Sequence, residues 1–253
     1  MSDSSASLPD TPACGTRNDI FATTRWTVVL SAGRTPSPQA DVALDELCRI
    51  YWFPLYAYVR RQGRAKEDAE DLTQAFFARF LEKNYLEGLR SEKGKFRAFL
   101  LASLKHFLAN EWDRAHRQKR GGGVALLSLD WQDADTRYQV GPADNLSPDK
   151  LFDRAWTVTL LERVITRLRD ESVAEGKGKL FEHLKPFLMV GRSEIPCAQT
   201  AVELALSEGA VRVAVHRLRR RYRELLREEI VQTLSHPEQA QEEIQALFSA
   251  FAD

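Results

Sequence analysis

The run Ser207-Glu208-Gly209-Ala210-Val211-Arg212-Val213-Ala214-Val215-His216-Arg217-Leu218-Arg219-Arg220-Arg221-Tyr222 holds the densest chemistry in this chain. At helical spacing, Arg212, His216, Arg219, Arg220, Arg223 and Arg227 share one face, and Val211, Val215, Leu218, Tyr222 and Leu225 share another. A guanidinium is planar, permanently charged and shaped to bond a phosphate or a guanine edge in two places at once. A helix with an arginine front and an apolar back, entered through a tight turn, fits a DNA major groove. Residues 199–206, with Ala201, Val202, Leu204 and Ala205, read as the short helix before it, so the pair predicts a helix-turn-helix. Arg212, His216 and Arg217 are expected near base edges, with Ser207 and Glu208 at the helix entrance. Arg219, Arg220 and Arg223 are expected near phosphates. A solvated charged face is the plainer reading, but the excess of arginine with few acids weighs against it.

No catalytic constellation accompanies this pattern. Ser147-Pro148-Asp149-Lys150 is better explained as a helix entry than as a hydrolase motif. Gly121-Gly122-Gly123 lacks the following Gly-Lys-Ser/Thr of a phosphate loop. His183 and His236 have no partner at metal-ligand spacing, and Cys14, Cys48 and Cys197 form no Cys-x-x-Cys pair. The expectation is a protein that is not an enzyme and uses neither metal nor cofactor.

The chain has 253 residues with 36 basic and 36 acidic side chains, a formal net charge of zero. Free-standing DNA binders are usually basic, because phosphate neutralisation supplies most of their affinity. Here the charges are segregated instead, with basic clusters at residues 114–120 and 212–227 and acidic ones at 67–71, 130–135 and 238–243. That balance suggests a protein that reaches nucleic acid with help from a partner. No apolar run approaches membrane length and the polar N-terminal stretch has no signal-peptide core, so a cytoplasmic protein is expected.

The elements that must position these residues are all helical. Residues 1–20 read as a disordered tail and 21–30 as a short helix. A long helix is expected over 41–61, with Leu44, Leu47, Cys48, Tyr51, Leu55 and Tyr58 inward and Pro54 kinking or breaking it. Helices over 66–83 and 95–119 follow, separated by a polar loop. Trp112 shares a stripe with Leu101, Leu104 and Leu108 and is expected in the core. Residues 121–149 read as an interdomain linker. Helices over 150–171 and 180–189 precede the helix-turn-helix, the second interrupted at Pro186. A last amphipathic helix covers 238–251. The fold class is all-α, with two small helical domains over 21–120 and 150–234 joined by a flexible linker, and a C-terminal helix in 235–253.

Two blocks now resemble one family. Glu67-Asp68-Ala69-Glu70-Asp71-Leu72-Thr73-Gln74-Ala75-Phe76-Phe77-Ala78-Arg79-Phe80-Leu81 and the helix over 96–120 are similar to region two of bacterial sigma factors. Residues 207–221 are similar to region four. The absence of a third region between them resembles the extracytoplasmic-function (ECF) branch of the sigma-70 family. The resemblance implies a transcription initiation factor that binds core RNA polymerase and promoter DNA, both duplex and melted. It implies polymerase docking through Asp71, Gln74, Phe77 and Arg79. It assigns downstream-element recognition and strand capture to Tyr85, Arg90, Lys93, Lys95, Arg97, His106, Arg114, Arg117, Lys119 and Arg120. It also makes the acidic linker, with Asp130, Asp133 and Asp135, a mimic of nucleic-acid charge, against an equal alternative of a passive tether. Ala75, His106, Asn110 and Ala205 depart from the family pattern, which favours glycine where Ala205 stands. The free protein is expected to be monomeric, with an anti-sigma regulator as a further candidate partner. Two other readings stay open: a conventional helix-turn-helix regulator with an N-terminal sensing or dimerisation domain, and a pure interaction protein such as an anti-sigma decoy.

Overall fold

In the computed structural model, which describes residues 38–81, 95–117, 134–139, 146–188 and 197–249, every element is helical. The single exception is an isolated antiparallel bridge between Lys95 and Leu234. Helix α1 spans Pro38–Arg61, α2 Lys66–Leu81 and α3 Phe96–Arg117. The α1 helix carries Asp41 in its first turn and Arg60 and Arg61 in its last, each sign placed to favour the helix dipole. It runs through Pro54 without a break. The lost backbone bond, a cost of about 3 kcal/mol, is offset by packing: Ile50, Tyr51, Phe53, Leu55 and Tyr58 around it are all buried. The short helix expected at 21–30, the 82–94 loop and the Gly121–Gly123 stop lie outside the described residues.

Helix α4, Ala134–Gln139, comes from the stretch expected to be a tether. It is folded onto α1 instead. Ala134 is buried, Asp135 pairs with Arg60 at 2.9 Å and accepts from the Tyr56 hydroxyl at 3.3 Å. Arg137 lies 4.1 Å over the Phe53 ring and pairs with Glu162 at 2.8 Å. The charge of Asp135, expected to mimic nucleic acid, is therefore met within the chain.

Helix α5 spans Pro148–Ala174 and begins as its sequence implies. The Lys150 amide donates to the Ser147 hydroxyl at 3.3 Å, and Pro148 opens the first turn. Its end is set by Gly176 at φ 72, a left-handed position that only glycine takes without strain. The Gly176 amide donates to Val173 and the Lys177 amide to Ser172, the paired bonds of a Schellman stop. Helix α6, Gly178–Leu184, then tightens into a 3-10 turn, Lys185–Leu188, where Pro186 sits. Helices α7 (Cys197–Glu203), α8 (Glu208–Val231) and α9 (Ala240–Ser249) complete the chain, with a 3-10 turn at Pro237–Gln239 before α9.

The two helical units do not stand apart. Tyr51 of α1 stacks on Trp156 of α5 at 5.8 Å and meets Phe96 of α3 edge-on at 5.0 Å. All three rings are fully buried, and each such aromatic contact adds about 0.5–1.5 kcal/mol beyond area burial. Phe152, Leu160, Val164 and Leu168 extend the α5 face of this core, and Leu225, Leu226 and Ile230 of α8 close it. The first half of α8 joins a different cluster, in which Val211 and Val215 pack with Leu184, Phe187, Cys197 and Ala201. One long helix thus serves two cores: its start presents the arginines and its end anchors them to the rest of the protein.

Candidate nucleic-acid interface

The turn between α7 and α8 is a second Schellman stop. The Leu206 amide donates to Ala201 at 2.9 Å and the Ala205 amide to Val202 at 3.2 Å. This geometry puts Ala205 at φ 52, the one non-glycine residue with positive φ among those described. The alanine that stands where the resemblance favours glycine therefore adopts the strained conformation rather than avoiding it. Ser207 then caps α8 by accepting the Ala210 amide at 3.2 Å. Its hydroxyl has a local structural task, which accounts for its place at the helix entrance.

The capped start and buried Val211 and Val215 fix which way α8 faces. Arg212, His216, Arg217, Arg220 and Arg223 are exposed, as the amphipathic pattern predicts. Arg212 pairs with Glu208 at 3.1 Å and Arg220 with Glu224 at 3.5 Å, both exposed one-turn pairs of little strength. Arg219 differs: its Nε and Nη2 donate to the Phe187 carbonyl at 3.0 and 2.6 Å. It closes the end of the 3-10 turn, which gives Arg219 a structural task that the sequence reading did not assign. Arg212, His216, Arg219, Tyr222 and Arg223 line one recess beside Cys197.

On α2, Glu67, Asp68 and Asp71 are exposed and Gln74 is half-buried. Phe77 is not available for docking. It is 1% exposed and packs with Phe76 at 5.6 Å, because α2 lies between α1 and α3 and buries both neighbouring rings. Arg79 reaches Glu111 of α3 at 3.5 Å.

The start of α3 holds the largest departure from expectation. Lys95 and Arg97 do not face solvent together. Both reach Glu243 of α9, each at 2.5 Å, and the Glu243 side chain is 1% exposed. Arg97 also pairs with Asp153 of α5 and lies over the Trp156 ring at 5.6 Å. Burial alone would push the Glu243 carboxyl up, but hydrogen bonds and charge from Arg97 and Lys95 hold it below the ordinary carboxylate value. In this arrangement both cations share one buried carboxylate, with Lys95 still partly exposed and Arg97 largely covered. His106 is exposed, as a strand-contacting residue requires. Trp112 is 56% exposed, which corrects its expected place in the core. Each four-residue step along a helix turns the side chain by about 40°, so Trp112 has rotated off the face that buries Leu104 and Leu108. The backbone of Arg114 and Arg117 is in α3, while their side chains and all of Tyr85, Arg90, Lys93, Lys119 and Arg120 lie outside the described residues.

Sequence reasoning did not single out the acids that organise this arrangement. Glu229 is buried on α8 and takes Arg163 at 3.2 Å and Arg167 at 3.3 Å, while Arg163 also reaches Glu46 of α1 at 2.6 Å. The available signal was a carboxylate on an apolar stripe: Glu229 among Leu225, Leu226 and Ile230, and Glu243 between Ala240 and Leu247. Among the described residues there is no cluster of metal-ligating side chains, and no helix long and apolar enough to cross a membrane.

Residues 54–118 match the family described as sigma-70 region 2. The matched stretch begins at Pro54 within α1 and takes in all of α2 and α3, about a quarter of the chain. No curated protein and no solved structure matches the chain. The match shows a stretch similar to sigma-70 region 2 over residues 54–118.

Proposed function

We propose that this protein is a transcription initiation factor of the ECF kind, which binds core RNA polymerase and directs it to promoters with two separate elements. The observation that carries this reading is the coexistence, on one chain, of a sigma-70 region 2 match over 54–118 and a helix-turn-helix with exposed arginines on α8. In this reading the outer side of α2, with exposed Asp71 and half-buried Gln74 and Arg79, docks on the polymerase. Arg212, His216 and Arg217 read the upstream element, with Arg220 and Arg223 on flanking phosphates. His106, Arg114 and Arg117 attend the melted strand, and the polymerase places the protein in the cytoplasm. The test is to mix the protein with core polymerase and look for a complex and for promoter-dependent transcripts. Their joint absence overturns the reading.

One observation favours a second reading. The core shared by α1, α5 and the end of α8 fixes the helix-turn-helix on the N-terminal helices, as a conventional regulator would. That reading predicts tight, sequence-specific duplex binding without polymerase. A gel-shift assay on the protein alone separates the two: an initiation factor stays nearly silent.

A further inference from the structure

The junction between α8 and α9 grips the start of α3 in two ways at once. The backbone contributes the Lys95–Leu234 bridge, in which the Phe96 amide donates to the Thr233 carbonyl at 3.1 Å. The side chains contribute Glu243, which lies between Lys95 and Arg97: it accepts from Arg97 Nε through Oε1 and forms an ion pair with Lys95 through Oε2. The site is built, not incidental. Thr233, Leu234, Ala240, Glu243 and Leu247 are all buried, and Phe96 beside them is fully buried. A carboxylate held by a lysine and an arginine at the start of a helix occupies the position that a phosphate oxygen would take, since both anions accept the same charge-assisted hydrogen bonds.

We infer that residues 233–249 form an internal latch, in which the Glu243 carboxylate competes with the phosphate backbone of single-stranded DNA for Lys95 and Arg97. The inference rests on the initiation-factor reading and adds a regulated step to it. While the latch is closed, Glu243 neutralises the cations at the head of α3, and the bridge at Thr233 fixes that helix against α8. Opening moves Glu243 away, frees Lys95 of its counter-charge, and leaves Arg97 with Asp153 as its one remaining acid, so that the edge of α3 gains net positive charge.

Two experiments test the latch. The first compares wild type with Glu243→Gln, which keeps the size and polarity of the side chain and removes its charge. Binding of a fluorescent single-stranded oligonucleotide is followed by anisotropy across a salt series, with circular dichroism to confirm the fold. The expected result is affinity raised about tenfold and a salt slope steeper by roughly 0.7 to 1.4, the release of one to two counterions from a single strand. Unchanged affinity and slope in a folded variant overturn the inference. The second experiment locks the latch. Lys95 and Leu234 are a non-hydrogen-bonded antiparallel pair, whose Cα atoms lie about 4.5 Å apart, within disulfide reach. A K95C/L234C variant with core polymerase is expected to open promoter DNA at least tenfold more slowly when oxidised than after reduction, read by permanganate reactivity. Equal rates in the two states overturn the inference even if Glu243→Gln does not fold. Promoter-dependent transcripts from wild type, measured alongside, report separately on the initiation-factor reading.

Discussion

Arg221 of α8 grips Glu171 of α5 with two parallel hydrogen bonds, Nε and Nη2 each lying 2.8 Å from a different carboxylate oxygen. Its Nη1 reaches Glu224 and Glu228 as well. The hydrogen bonds from Arg221 hold the Glu171 carboxyl below its ordinary range. The arginine run of α8 is therefore divided: Arg221 joins the helix to its support, while Arg220 beside it projects outward. Replacing Arg221 with Ala is expected to lower stability by about 1 kcal/mol, since the pair is only partly shielded from water. The salt slope of DNA binding should stay unchanged. Arg220→Ala should do the reverse, lowering the slope by nearly one while leaving the melting temperature in place. Denaturant titration and binding across a salt series distinguish the two patterns. Equal effects from both variants would contradict the division.

Ala205 offers a test of stored strain. At φ 52 its Cβ crowds the following carbonyl, at a cost of roughly 1–2 kcal/mol. Glycine removes that clash but brings more chain entropy to the unfolded state, about 0.5–1 kcal/mol. The expected net effect of Ala205→Gly is a stabilisation of about 0.5 kcal/mol, seen as a modest rise in denaturation midpoint. Ala205→Val, with a branched Cβ at the same angle, should destabilise. A lower midpoint for the glycine variant would show that the turn relaxes by another route.

How much of this was legible beforehand depended on whether neighbours in sequence or neighbours in space decided the outcome. The facing of α8 follows from its own spacing, so Val211 and Val215 are inside and Arg212 and Arg217 outside, as the pattern requires. The Ser147 and Ser207 caps are equally local. The acid that Arg97 and Lys95 meet was illegible for the opposite reason. Their surroundings come from helices distant in the chain: Glu243 is 146 residues from Arg97. A cation pattern on one helix carries no record of the acid that will meet it. The same holds for α5, whose apolar face reads as the base of the helix-turn-helix module until Trp156 is seen against Tyr51.

Phe77 and Gln74, three residues apart on α2, should separate folding from docking. Phe77 is buried against Phe76 in the α1–α2–α3 core. Truncation to alanine is expected to cost about 3–5 kcal/mol of stability, enough to unfold a marginal domain. Gln74→Ala, together with Asp71→Ala on the exposed face, should leave the thermal midpoint within about 0.5 kcal/mol of wild type and weaken co-purification with core polymerase. Full retention of polymerase by a folded Asp71→Ala, Gln74→Ala protein would remove α2 as the docking surface.

The Glu243 contact also predicts how the protein responds to acid. Its carboxyl is held below the ordinary value by Arg97 and Lys95, so in the folded state it gives up its charge only at lower pH than in the unfolded chain. The stability it contributes is present above the unfolded carboxylate pKa of about 4.3 and is lost as pH falls through the folded value. Asp153, the second acid on Arg97, remains half-exposed and offers a weaker hold once Glu243 is neutral. Between about pH 5 and pH 3 the wild-type midpoint should therefore fall more steeply than that of Glu243→Gln, which has no charge to lose at this site. The two curves should converge at the acid end, where both side chains are neutral. Parallel curves across the whole range would mean that Glu243 carries no linked proton and that the α3–α9 contact is held by the Phe96–Thr233 bond and apolar packing alone.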